Sequence, residues 1–240
     1  LKRSSSSSST TESRDALFSK LFALFCLPAL PLVLAMLDVR LLASATYIRL
    51  AFGRAGFPDL PGFSPEERLA LAQPSTRFIV DGSPPEALAA LQHQGRPLYT
   101  ADEIAHLVDV QVVVSRLEAW ALAAALILAL AGWIAWRRGH LATWSRALAR
   151  SAWFSLALLA LLVPVLVLAF DQAFTVFHGL LFAPGTWQFP AESYLIQLFP
   201  ERFWYDTALV ACALLVAETL GLAWLARRLR DAGAPLKNRR

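Results

Sequence analysis

The sequence predicts an all-α transmembrane protein: a four-helix membrane domain carrying a small mixed extracytoplasmic cap. Three observations lead there. Of the 240 residues, 57% are hydrophobic and the mean hydropathy is +0.49, too apolar for a water-soluble domain of this length. Residues 21–37, 119–136, 151–170 and 207–226 lack charge, or nearly so, over the roughly 20 helical residues that cross a hydrocarbon core. Basic residues gather in alternate connecting segments, the asymmetry expected of loops retained on the cytoplasmic side.

Taken in order, residues 1–16 hold the run Ser4 to Ser9 and read as a disordered cytoplasmic leader. The first span is expected over 17–42. Its uncharged core is short and contains Pro28 and Pro31, so the helix should begin near Leu17, with Lys20 reaching toward the headgroups. A signal peptide would show a similar basic start. However, the apolar run meets Asp38-Val39-Arg40, and Ala43-Ser44-Ala45 is only a weak cleavage pattern, so an uncleaved helix is expected.

Residues 43–111 are too many for a turn and too rich in Pro and Gly for one helix, and they read as the cap. Ser64 as N-cap and Pro65 in the first turn predict a short helix over 65–72. A brief strand is expected over 76–80 and a second short helix over 85–92. The remaining spans fall over 112–136, 151–170 and 205–226. A basic loop, 137–150, separates the second span from the third, an interfacial segment, 171–204, separates the third from the fourth, and a basic tail, 227–240, closes the chain.

Charge sets the expected orientation. The loop has Arg137, Arg138, Arg146 and Arg150 without an acid, and the tail sets Arg227, Arg228, Arg230, Lys237, Arg239 and Arg240 against Asp231. By contrast, residues 38–111 carry six arginines against nine acids, and 171–206 four acids against Arg202. Both termini should therefore be cytoplasmic and both acidic segments outside. The net charge of +4 then reflects membrane orientation, and no nucleic-acid partner is expected. Cys26 and Cys212 both fall in expected spans, which leaves no outer disulfide, no CxxC and no activated thiolate.

Two segments carry chemistry. In Leu98 to Val110, Thr100 and Glu103 form a capping box that starts a helix. On that helix Glu103, His106 and Asp109 share a face, which predicts an imidazole oriented by carboxylates that raise its pKa. The second segment runs from Phe170 through His178 to Phe182, followed by Trp187. As a helix it aligns Phe170, Phe174, Phe177 and Leu181 in one apolar stripe and should lie in the membrane interface. An ionisable His178 among such neighbours is costly to keep and marks a functional site. His93, in a Gln-flanked loop, and His140, on the cytoplasmic side, read as structural, and Glu218 in the fourth span as a helix contact.

These elements resemble a known family. Glu103-Ile104-Ala105-His106-Leu107-Val108-Asp109-Val110, Phe177-His178-Gly179-Leu180-Leu181-Phe182, Trp187-Gln188-Phe189, and Leu195 to Pro200 with Phe203-Trp204, together with the span pattern, are similar to the bacterial lipoprotein intramolecular transacylases. The resemblance covers the chain from residue 17 to about 226. It implies a plasma-membrane enzyme that needs no cofactor or metal and whose partners are diacylglyceryl-modified lipoproteins and membrane lipids. The sn-2 acyl chain would pass from glycerol oxygen to the α-amine of the N-terminal cysteine, leaving a lyso-form lipoprotein.

The resemblance carries catalysis onto His106 and His178. His106 is expected to act as base and His178 to stabilise the oxyanion, with Asp109 or Glu103 orienting His106 and Asp171 orienting His178. Phe177 and Trp187 are the expected substrate contacts. Because donor and acceptor belong to one molecule, no acyl-enzyme is required, and no GxSxG elbow is present. Two other readings stay open at this point. One is metal-assisted hydrolysis at the same face, and the other is a non-catalytic adaptor for lipidated partners.

Overall fold

The computed structural model describes residues 6–232. Residues 1–5 and 233–240, the ends of the expected leader and tail, lie outside them. Eleven elements follow in order: α1 (Ser6–Leu42), α2 (Ala45–Phe52), α3 (Pro65–Asp81), α4 (Glu86–Ala89), β1 (Gln92–His93), β2 (Arg96–Pro97), α5 (Ala101–Arg137), α6 (Leu141–Leu168), α7 (Phe170–Leu181), α8 (Tyr194–Leu198) and α9 (Glu201–Ala232). Four helices are long and apolar enough to cross a membrane: Leu24–Leu42, Ala101–Arg137, Leu141–Leu168 and Glu201–Arg230.

The backbone forms two compact units. Within the described residues, the first comprises 6–34, Ala121–Leu159 and 215–232. Small side chains bring its helices together: Cys26, Ala29, Ala124, Leu128 and Ala147 form one buried cluster, and Leu30, Leu34, Ala152 and Ala223 another. In lipid, apolar burial gives little net drive, so close backbone approach and interhelical hydrogen bonds do the joining. The Ser151 hydroxyl accordingly donates to the Cys26 carbonyl at 2.6 Å. Gly132 lies under the Trp144 ring, where a Cβ would stand 2.7 Å from Trp144 Cζ2. Large side chains such as Leu122, Leu126 and Trp133 face outward, the arrangement expected of a lipid-bathed surface.

The second unit comprises Ala35–Trp120 and Ala160–Leu214 and is built differently. Its core joins Ile48, Phe78, Leu88, Leu98, Tyr99, Leu107, Leu198, Phe199 and Phe203. Arg68 is buried here. Its guanidinium donates to the carbonyls of Pro58, at 2.6 Å, and of Gln197, at 3.0 Å, and stacks on Phe52 and Phe57. Those contacts fix the start of α3 against the end of α8. The Tyr47 hydroxyl donates to Thr207 Oγ1 at 2.8 Å, and Arg40 pairs with Glu118 at 2.8 Å. The hairpin of β1 and β2 turns through Gln94 and Gly95, both at positive φ, the pairing that a two-residue turn of this hand requires.

Three local expectations are corrected. The stretch expected to be a disordered leader is helical from Ser6, because α1 already supplies the nucleus and each added residue costs little. Residues 76–80, expected as a strand, continue α3, which runs from the Ser64–Glu67 capping box through Pro74 to Asp81. Tertiary contacts override local β propensity there: Phe78 enters the core, and Gln111 Nε2 satisfies the Phe78 and Ser83 carbonyls at 2.6 and 3.0 Å. The helix expected over 85–92 shortens to α4, and its last residues join the hairpin.

Candidate active site

α5 opens on the expected capping box. The Thr100 N–H donates to Glu103 Oε2 at 2.7 Å and the Glu103 N–H to Thr100 Oγ1 at 3.3 Å. One turn later His106 turns inward and is buried. The uncharged run of α5 starts only at Ala119, so residues 101–118, with Asp102, Glu103, Asp109, Arg116 and Glu118, precede the apolar span.

The second histidine arrives after a break. α6 ends at Leu168, Ala169 leaves helical geometry with φ −146 and ψ 47, and α7 restarts at Phe170. His178 Nδ1 lies 2.8 Å from the Phe174 carbonyl oxygen. A carbonyl can only accept, so Nδ1 carries the proton and, in the neutral ring, Nε2 holds the free lone pair.

The two imidazoles belong to the second unit, with ring centroids 6.2 Å apart. Aromatic rings enclose them. Phe182 packs on both, at 5.0 Å from His106 and 5.6 Å from His178. Phe189 lies 5.7 Å from His106, while Phe174 and Trp187 lie 4.0 and 4.8 Å from His178. Phe177 meets His178 edge-on at 5.4 Å and is itself exposed.

This enclosure reverses the expected titration. Burial pushes His106 down to about 4, with the neighbouring His178 adding to the shift and Asp109 opposing it. Burial also lowers His178, against the Phe174 hydrogen bond, which raises it. Both rings are therefore neutral at pH 7. The expected raised pKa of His106 is corrected because apolar rings and a second imidazole outweigh one exposed carboxylate.

The supporting carboxylates take other places. Glu103 is engaged by Thr100, by the Ser193 hydroxyl and by the Leu195 N–H, and Asp171 lies beside Glu201, helping to hold the Glu201 carboxyl above the usual range. Phe174, not Asp171, holds the His178 tautomer. His93 stacks on Phe63 at 3.8 Å in the cap, apart from the pair. Among the described residues, no three His, Cys, Asp or Glu side chains converge as a metal site. Phe174, Phe182 and Phe189 were named from the sequence as parts of an apolar stripe or of the family motifs, not as rings around the histidines. Phe174 and Phe182 stand four residues either side of His178, and that helical spacing was the available signal.

A family model described as lipoprotein intramolecular transacylase Lit matches residues 21–204, a range that contains both histidines and every ring around them. The chain belongs to this family. Its members are acyltransferases, and this chain is accordingly a multi-pass membrane enzyme of that class. An uncharacterised protein of Aquifex aeolicus (strain VF5) is 28% identical over 197 residues, covering 81% of this chain and 88% of that protein. The structure of the transacylase Lit from Bacillus cereus shares the fold, with a TM-score of 0.75 at 16% identity over 90% of this chain and 98% of that one. A variant of that enzyme with one histidine replaced by arginine gives a TM-score of 0.67, covering 94% and 97%.

Proposed function

We propose that His106 and His178 are the acid–base pair of an intramolecular O-to-N acyl transfer. The substrate would be a diacylglyceryl-modified lipoprotein, whose sn-2 acyl chain moves to the amine of its N-terminal cysteine. The observation that carries this reading is the meeting of two imidazoles, from segments far apart in sequence, inside one aromatic enclosure.

The tautomer of His178 refines the roles. Its Nε2 lone pair suits it to take the proton from the substrate ammonium, and His106, neutral but still carrying one N–H, suits the oxyanion. This exchanges the roles expected from the sequence. Two protons leave the nitrogen: the first passes through His178 to solvent as the amine is freed, and, once the amine has attacked the ester carbonyl, the second passes from the nitrogen of the tetrahedral intermediate to His178 and on to the glycerol oxygen as its C–O bond breaks. One acyl group changes place and one proton is released overall. Because both reacting groups sit on one substrate, proximity supplies much of the rate. Trp187 and the exposed Phe177 would guide the lipid portion beside His178.

The distribution of Arg and Lys supports both termini in the cytoplasm, and hence a site at the extracytoplasmic face of the bacterial plasma membrane among its lipids. Mass spectrometry of lipoproteins from cells expressing the chain tests the proposal. Wild type should give N-acylated lyso-form product, whereas His106→Ala and His178→Ala should each lower it by about a hundredfold or more. Full product from both variants would remove the histidines from the chemistry.

A further inference from the structure

Glu103 is 2% exposed and acidic, yet none of its hydrogen-bond donors is a cation. The Thr100 N–H on Oε2 is local and belongs to the capping box. The other two donors come from ninety residues further on: the Ser193 hydroxyl and the Leu195 N–H, at 3.3 Å, both on Oε1. Ser193 is also the N-cap of α8, accepting from the Ile196 N–H at 3.4 Å. A buried carboxylate satisfied by several donors makes charge-assisted bonds that water does not contest.

Between α7 and this anchor run residues 182–193, with little regular structure of their own. They hold Phe182, Trp187 and Phe189, three of the rings on the imidazoles. Glu103 itself stands one turn before His106 on α5. A single side chain thus joins the helix bearing one histidine to the end of the segment that covers both. The far end of α8 is held separately, by Arg68 on the carbonyls of Gln197 and Leu198.

We propose that Glu103 is a positioning residue: through Ser193 and Leu195 it pins the segment 182–193 and keeps Phe189 seated on His106 and Trp187 on His178. This rests on the reading of those histidines as the acid–base pair. It differs from a role in orienting the His106 ring directly, because the carboxylate is already occupied. The pinning is what a small loss at Ser193 should release, since Arg68 continues to hold the rest of α8.

The test uses the full chain in membranes, with diethylpyrocarbonate as a probe of neutral imidazoles, read for each histidine by mass spectrometry at pH 7. In Ser193→Ala, labelling of His106 and His178 should rise about fivefold relative to the exposed His140, and turnover should fall about tenfold, as small misplacements of reacting groups do. Ser193→Thr, which keeps the hydroxyl, should restore both. The acid midpoint of the pH–rate profile should stay in place in Ser193→Ala and in Glu103→Gln.

Unchanged labelling with full turnover in Ser193→Ala would overturn the proposal. So would new cleavage of the span helices in limited proteolysis of Ser193→Ala, which means general loosening, or a moved acid midpoint in Glu103→Gln alone, which means direct contact with the titrating ring. Labelling is read without turnover, so its failure counts against Glu103, whereas active His106→Ala and His178→Ala chains count against the site itself.

Discussion

In the first unit, helices meet through Ala, Ser, Cys and Gly with a few leucines and no buried ring among the core clusters; in the second, through Phe, Tyr, Leu and a buried Arg. Lipid tails are as apolar as leucine, so the span helices gain from close approach and from single hydrogen bonds such as Ser151 to Cys26. The second unit buries aromatic area together with polar groups that need partners, and so Arg68, Gln111 and Glu103 each serve two or three. The chemistry resides in the second kind of packing, where rings can exclude water from imidazoles and hydrogen bonds can fix their neighbours.

The largest effect should come from cutting the most heavily used polar anchor of the second unit. Arg68→Ala strips donors from the carbonyls of Pro58, Gln197 and Leu198 and removes the cation stacked on Phe52 and Phe57. A loss of about 3 kcal/mol is expected, since buried acceptors left without partners are costly. Limited proteolysis should show the region 43–111 opening while the span helices stay protected. Equal cleavage in both regions would contradict the division.

Acidification should discriminate next. Both catalytic candidates have pKa values depressed from the ordinary 6.5, His106 to about 4. The unfolded chain therefore takes up protons from about pH 6.5 downward while the folded second unit resists until lower pH. Stability contributed by the enclosure is full above pH 6.5 and is lost as pH falls toward 4. The acid limb of the rate profile should have its midpoint below 6.5, because the neutral base persists that far. A midpoint at or above 6.5 would mean that water reaches the rings.

The smallest change belongs to the first unit. Ser151→Ala removes the hydroxyl from the Cys26 and Leu27 carbonyls and should cost only about 0.6 kcal/mol, with activity retained. Unfolding in mixed detergent micelles would measure it, and a loss several times larger would show that the spans rely on polar bonds as heavily as the cap.

The four spans were legible because a missing charge over such a length has few other meanings, and both capping boxes because Ser or Thr with Glu three residues on is a local code. The strand expected over 76–80 failed where Phe78 found a tertiary home that local propensity does not encode. His106 was legible from the helical face it shares with carboxylates, and His178 as an ionisable group among apolar neighbours. Their meeting in one site was expected from the family resemblance, but not its geometry, which depends on α7 restarting after Ala169. Their neighbours' roles were partly readable: a Glu already serving the Thr100 box has one oxygen occupied and is poorly placed to serve an imidazole as well.

Gly132 has a bearing on how this lineage can vary. The Trp144 ring fills the space that any side chain at position 132 would need, the nearest approach being 2.7 Å. Neither position can drift alone: a methyl at 132 calls for a smaller or rotated ring at 144, while a smaller residue at 144 leaves a hollow beside the glycine. Relatives should therefore change these two positions as a correlated pair, independently of anything that happens around the histidines.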